Sequence, residues 1–155
     1  MLSDLLNRET IQLISGEALT WQETIRLAAK PLVDNDSVTT QYVDAMIKVV
    51  DEEGPYINIG DHVALAHTRP ENGSNRISLA LLKTTEPVDL VNKEHPVTLW
   101  FVLSAVDNQS HLQVIRQLMM LLTNETALNA LKTATSVDDL IKIISAIDNT
   151  TEESK

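Results

Sequence analysis

The run PVTLWFVLSAV, residues 96–106, is the feature that most narrows what this chain can become. It is almost uninterrupted by polar residues, rich in branched and aromatic side chains, and far shorter than the ~20 residues of a membrane-spanning helix. Such a run fits an interior strand of a sheet that is covered on both faces. Three shorter runs, PYINIG, HVALAH and RISLALLKT, precede it and supply neighbouring strands. Helical patterns lie on either side of this group. In ALTWQETIRLAAKPLV, Thr20 and Glu23 make a capping box ahead of apolar Ile25, Leu27, Ala28 and Leu32, and Pro31 is expected to limit the end. In TTQYVDAMIKVVDEEG, Val43, Met46, Ile47 and Val50 share one face and Gly54 supplies the stop.

After the long strand, DNQSHLQVIRQLMMLLTNE turns helical, with Asn108 or Ser110 as cap and Leu112, Ile115, Leu118, Met119 and Leu122 on one face. NETALNALKTA and SVDDLIKIISAI form two shorter helices, the second with Ser136 as N-cap and Asp139 three residues on. The expected fold is α/β: a mixed central sheet of about five strands with helices on both faces, in one domain over residues 1–148. Residues 149–155 read as a polar, frayed C-terminal tail.

Composition removes several function classes. At 155 residues the chain suits one core. A net charge of −10 argues against nucleic-acid binding, which needs clustered Lys and Arg. The absence of cysteine excludes disulfides, thiolate catalysis and cysteine-based zinc sites. The N-terminus MLSDLLNRET is too polar and acidic for a secretory signal, so a cytoplasmic location without membrane insertion is expected.

Chemistry concentrates in VALAHTRPENG, residues 63–73, where an apolar strand delivers His67 to a polar loop. A histidine there can simply be half-buried and hydrogen-bonded. Its imidazole is also a nucleophile able to carry a phosphoryl group. Arg69 offers a planar cation for phosphate oxygens, and Ser110 and His111 sit at a helix N-terminus, whose N–H groups favour an anion. If the long strand lies beside the one ending at His67, the two histidines face each other. The other candidates have plainer readings. His62 and His67 are spaced poorly for a shared metal, and His95, before Pro96, reads as a solvated loop residue. Asp61 and Glu71 read as surface carboxylates, and Met46, Met119 and Met120 as core.

The segment GPYINIGDHVALAHTRPENG, residues 54–73, resembles the phosphorylation-site segment of the mannitol/fructose-type enzyme IIA proteins of the bacterial sugar phosphotransferase system. Within that superfamily it most resembles the ascorbate-type branch. The likeness continues through FVLSAVDNQSHLQVIRQLMMLL and LKTATSVDDLIKIISAI, in order. It implies that His67 is the phosphorylated nucleophile, that His111 stabilises the phosphoryl group, and that Arg69 is a phosphate-side contact. Ala66 stands where the family has proline, and Thr68 where it has a small residue; Asp61 and His62 replace its usual proline and glycine.

The implied function is a phosphoryl relay through a phosphohistidine, from the phosphocarrier protein HPr to a cysteine of enzyme IIB and through it to membrane enzyme IIC. Cofactor and metal are unnecessary, because such transfers rest on positioning and electrostatics. The resemblance points to L-ascorbate as cargo. The alternative is a regulatory module of the same fold, in which phosphorylation of His67 controls a partner.

Overall fold

The structure is a computed structural model and describes residues 2–153, the side chains of 149–153 excepted. The long apolar run forms β5 (Pro96–Ser104), the middle strand of a five-stranded sheet. β4 (Ser78–Asp89) pairs with it antiparallel on one side, and β3 (Val63–Ala66) pairs with it parallel on the other. The sheet closes with β1 (Ile11–Ile14), parallel to β4, and β2 (Asn58–Gly60), antiparallel to β3. The order β1-β4-β5-β3-β2 makes the sheet mixed, as expected.

Alternation along the strands sorts the core into two halves. Val63, Leu65, Leu79, Leu81, Leu99, Phe101 and Leu103 face one side, while Ala64, Ala66, Ala80, Leu82, Trp100 and Val102 face the other. The first half is covered by α1 (Leu2–Leu5), α4 (Asn108–Leu122), α5 (Glu125–Thr133) and α6 (Val137–Glu153). The second is covered by α2 (Trp21–Asp34) and α3 (Thr40–Glu53). Trp100 and Phe101, neighbours on β5 that point to opposite faces, are both 1% exposed. Burying each contributes about 1.5–3 kcal/mol.

Local chemistry explains where the helices start and stop. The Thr20–Glu23 capping box is complete, and Thr39 accepts from the Tyr42 N–H at the start of α3. Gly54 ends α3 at φ +92°, a conformation that favours glycine. Ser136 Oγ accepts from the Asp139 N–H at 3.0 Å.

Several expectations are corrected. Pro31 does not end α2: the helix continues to Asp34. A helical proline has no N–H for the carbonyl four residues back, and that carbonyl, of Leu27, accepts instead from Gln12 Nε2 of β1 at 2.8 Å. α1 and β1 lie in a stretch without a readable pattern, and β1 supplies the fifth strand. On α4, Leu112 is 58% exposed and Met120 45% exposed, so neither belongs to the core; Val114, Leu118, Leu121 and Leu122 carry the buried face. His95 is half-buried, with Nδ1 2.9 Å from Asn58 Oδ1. The segment expected as a frayed tail is helical through Glu153, since no glycine or proline interrupts it, and residues 154–155 lie outside the described residues. Among the described residues no helix is long and apolar enough to cross a membrane.

Candidate functional site

β3 and β5 run parallel, so the loops leaving their C-terminal ends emerge at the same edge of the sheet, where ligands of open α/β sheets gather. His67 follows Ala66, the last residue of β3, and His111 lies in the first turn of α4, reached from the end of β5. The conditional adjacency of the two strands is therefore met, with Ala66 opposite Val102. The two imidazole centroids are 5.9 Å apart and their planes tilted by 51°. They line an open cleft of about 710 Å³ together with Tyr56, Thr68, Arg69 and Asp107.

His67 is half-buried, and its Nδ1 lies 3.1 Å from the Leu65 carbonyl oxygen. A carbonyl only accepts, so Nδ1 carries the proton and Nε2 keeps a free lone pair. The Tyr56 ring meets the imidazole in a T-shaped arrangement, centroids 6.3 Å apart and planes at 75°. His111 is held below the usual histidine range by burial first and by the neighbouring His67 second, which keeps it neutral at pH 7. A neutral imidazole retains one N–H, able to donate to an oxyanion.

Arg69 is exposed on the cleft rim, and among the described residues its guanidinium has no ion pair. It is the one permanent cation among the described lining residues, which also include Glu53, Glu71 and Asp107. Its backbone opens a short 3-10 turn, Pro70–Asn72. Thr68 turns its hydroxyl into the loop, accepting from Asn72 Nδ2 at 3.1 Å. The loop is fastened to the α2–α3 connection: Thr39 N–H donates to the Gly73 carbonyl at 3.0 Å, and Asn75 N–H to that of Ser37 at 2.9 Å. Gly73 has φ +131°, and a Cβ there would stand 2.0 Å from Thr39 Oγ1, so only glycine lets the loop approach α3 this closely.

Ser110 lies in the first turn of α4, as expected, but not as its cap. It does not line the cleft, and its N–H donates to Asp107 Oδ1 at 2.7 Å. Asp107, not Asn108 or Ser110, is the N-cap of α4, and its carboxyl sits below the usual range chiefly because of that bond. The helix N-terminus is thus already answered by a carboxylate. Outside the cleft, Asp61 pairs with Lys132 at 2.8 Å and with His62 Nδ1 at 2.7 Å. Glu71 is exposed on the rim.

Two tyrosines escaped the sequence reading. Tyr42, 1% exposed, donates its hydroxyl to the Leu103 carbonyl at 2.7 Å and accepts from the Thr68 N–H at 3.3 Å. Burial pushes its phenol up to about 12. The signal was a tyrosine beside the apolar stripe of α3, since a buried phenol needs a hydrogen-bond partner. Tyr56 had no comparable signal.

Comparison with known proteins shows the family and the fold. Residues 4–147 match the model of the family described as "Phosphoenolpyruvate-dependent sugar phosphotransferase system, EIIA 2". The mannitol-specific cryptic phosphotransferase enzyme IIA component of Escherichia coli K12 is 33% identical over 93% of this chain and 97% of its own. Its solution structure superposes with a TM-score of 0.86 over 94% of this chain and 98% of that one. The ascorbate-specific EIIA component of Salmonella choleraesuis is 32% identical over 90% of this chain and 94% of its own. The enzyme IIA in the complex of mannitol IIA with phosphorylated mannitol IIB from Escherichia coli is 26% identical, with a TM-score of 0.77 over 92% of this chain and 99% of that one.

Proposed function

The chain belongs to the EIIA 2 family of the phosphoenolpyruvate-dependent sugar phosphotransferase system, and we propose that it relays phosphoryl groups in the cytoplasm, from HPr through His67 to enzyme IIB. The observation that carries this reading is the imidazole of His67, with Nδ1–H held by the Leu65 carbonyl and Nε2 free beside His111 in an open cleft. In the first step the Nε2 lone pair attacks the phosphorus of the donor's phosphohistidine. The new N–P bond forms as the donor's breaks, and the leaving electron pair returns to the donor's ring. In the second step a thiolate of IIB attacks the same phosphorus and His67 Nε2 recovers its electrons.

His111 donates its N–H to a phosphoryl oxygen, and Arg69 offers its fork to the others. The exposed apolar side chains of Tyr56, Val106 and Leu112 lie on the segments that carry these histidines, and a docked partner would cover them and keep water from the phosphohistidine. The acidic rim favours partners with basic docking faces. A IIB partner is supported by the mannitol-type complex of IIA with phosphorylated IIB, and IIB would hand the group on to membrane enzyme IIC. L-Ascorbate as cargo is supported by the ascorbate-specific relative and by the RPENG loop.

The test is intact mass after incubation with an energised phosphocarrier, beside His67→Ala. An acid-labile gain of one phosphoryl group, absent from the variant, is expected. No gain while the carrier itself is charged refutes the relay and favours the regulatory alternative.

A further inference from the structure

We propose that Tyr42 is a positioning residue for phosphoryl transfer, its hydroxyl bridging the diverging ends of β3 and β5 so that the backbone aims His67 into the cleft. This rests on the relay reading of His67. The parallel β3–β5 ladder ends at Ala66 opposite Val102. One step further, the Leu103 carbonyl and the Thr68 N–H do not meet; both bond the Tyr42 hydroxyl, at 2.7 and 3.3 Å. The phenol oxygen stands where another strand-to-strand bond would continue the sheet. It therefore parts the strands at the residue that has to emerge from them and satisfies the two backbone groups so released.

The hydroxyl has one proton and two lone pairs. The Thr68 carbonyl also lies 3.3 Å away, but the shorter approach to Leu103 takes the proton and leaves the oxygen to accept from Thr68. Its ring is buried, 1% exposed, in the core half that also holds Met46, Ala66 and Val102, and the close approach of Gly73 to Thr39 and to Tyr42 Cβ holds the loop against the same end of α3. His67 is consequently pinned from both sides. Leu65 holds its Nδ1–H, and one residue later Tyr42 holds the backbone. Phosphoryl transfer is sensitive to displacements of about 1 Å, which can lower a rate about 100-fold.

Tyr42→Phe keeps the ring and removes the bridge. The expected result is a fall of about tenfold in the rate of phosphoryl acceptance from the charged phosphocarrier, with KM for that carrier unchanged within about twofold, because docking is untouched. Ile144→Val, in the core half beyond the sheet from Tyr42, controls for lost stability and should leave the rate unchanged.

Nitrogen chemical shifts of the His67 ring give a readout that needs no partner. The wild-type protein should show the Nδ1–H tautomer, and Tyr42→Phe a mixture of tautomers. An unchanged rate with an unchanged tautomer overturns the proposal, as does a rate loss matched by Ile144→Val. If the wild-type protein takes no phosphoryl group, the relay reading fails, while the ring shifts still decide whether Tyr42 orients His67.

Discussion

The Tyr42 phenol should leave a separate mark on alkaline stability. Burial lifts it from an ordinary value of 10.0 up to about 12. Between those values the unfolded chain releases the proton while the folded chain keeps it, so the unfolded state binds fewer protons and stability falls as pH rises. The contribution is fully present below 10 and lost as pH climbs through about 12. Two pKa steps at 1.36 kcal/mol each amount to about 2.7 kcal/mol, or roughly 5–11 °C in melting temperature for a domain of this size. Tyr42→Phe removes this limb. At neutral pH the variant should be less stable by about 1–3 kcal/mol, because the Leu103 carbonyl and Thr68 N–H lose their partner. The stability difference between wild type and variant should therefore shift by about 2 kcal/mol in the variant's favour from pH 9 to 12, closing or reversing the gap. Thermal melts followed by circular dichroism measure it, and the lysines, common to both proteins, cancel in the difference. A gap that stays constant across this range would refute the buried, hydrogen-bonded phenol.

Three further variants test described contacts. His111→Gln should slow phosphoryl transfer by about 10²-fold without moving the label from His67, as rapid-quench kinetics and peptide mass mapping would show. The same variant should flatten the acid limb of stability: His111 lies below its ordinary 6.5 when folded, so the unfolded chain takes the proton first and stability drops as pH falls below that value. Lys83, only 3% exposed, donates Nζ to the carbonyls of Lys132 at 2.7 Å and Ala134 at 2.5 Å, holding the C-terminal end of α5 to β4. Lys83→Ala should lower stability by about 2–4 kcal/mol in urea titrations, and an unchanged midpoint would contradict that role. Gly73→Ala, at φ +131° and against Thr39 Oγ1, should lower stability by about 1–3 kcal/mol and slow phosphoryl acceptance, with melting and intact mass as readouts.

Legibility in the sequence followed the range of the forces involved. Thr20 with Glu23 and Ser136 with Asp139 act across one helical turn, so their caps could be read from spacing alone. The centrality of β5 was readable because a strand buried on both faces has no polar alternation. β1 is too short for a pattern, and its place depends on pairing with a strand far along the chain. Leu112 and Met120 resemble core residues by type, but the buried face of α4 is the one that carries Val114, Leu118, Leu121 and Leu122. At the site, His67, His111 and Arg69 were visible as residues able to handle phosphate, and all three line the cleft. Ser110 does lie in the first turn of α4, but that N-terminus was read as vacant, whereas Asp107 caps it. Tyr42 went unnoticed because its phenol meets backbone atoms of two distant segments, which no local spacing records.

The proline within α2 makes that helix depend on a residue outside it. Leu27 would hold an unanswered carbonyl were it not for Gln12 of β1, so positions 12 and 31 act as one structural unit. Replacing Gln12 by leucine while Pro31 remains should cost more than the same change beside alanine at position 31, and a double-mutant cycle would expose the difference. Among descendants of this sequence, changes at residue 12 should be tolerated mainly after residue 31 has regained an amide proton, which gives the two sites a preferred order of substitution.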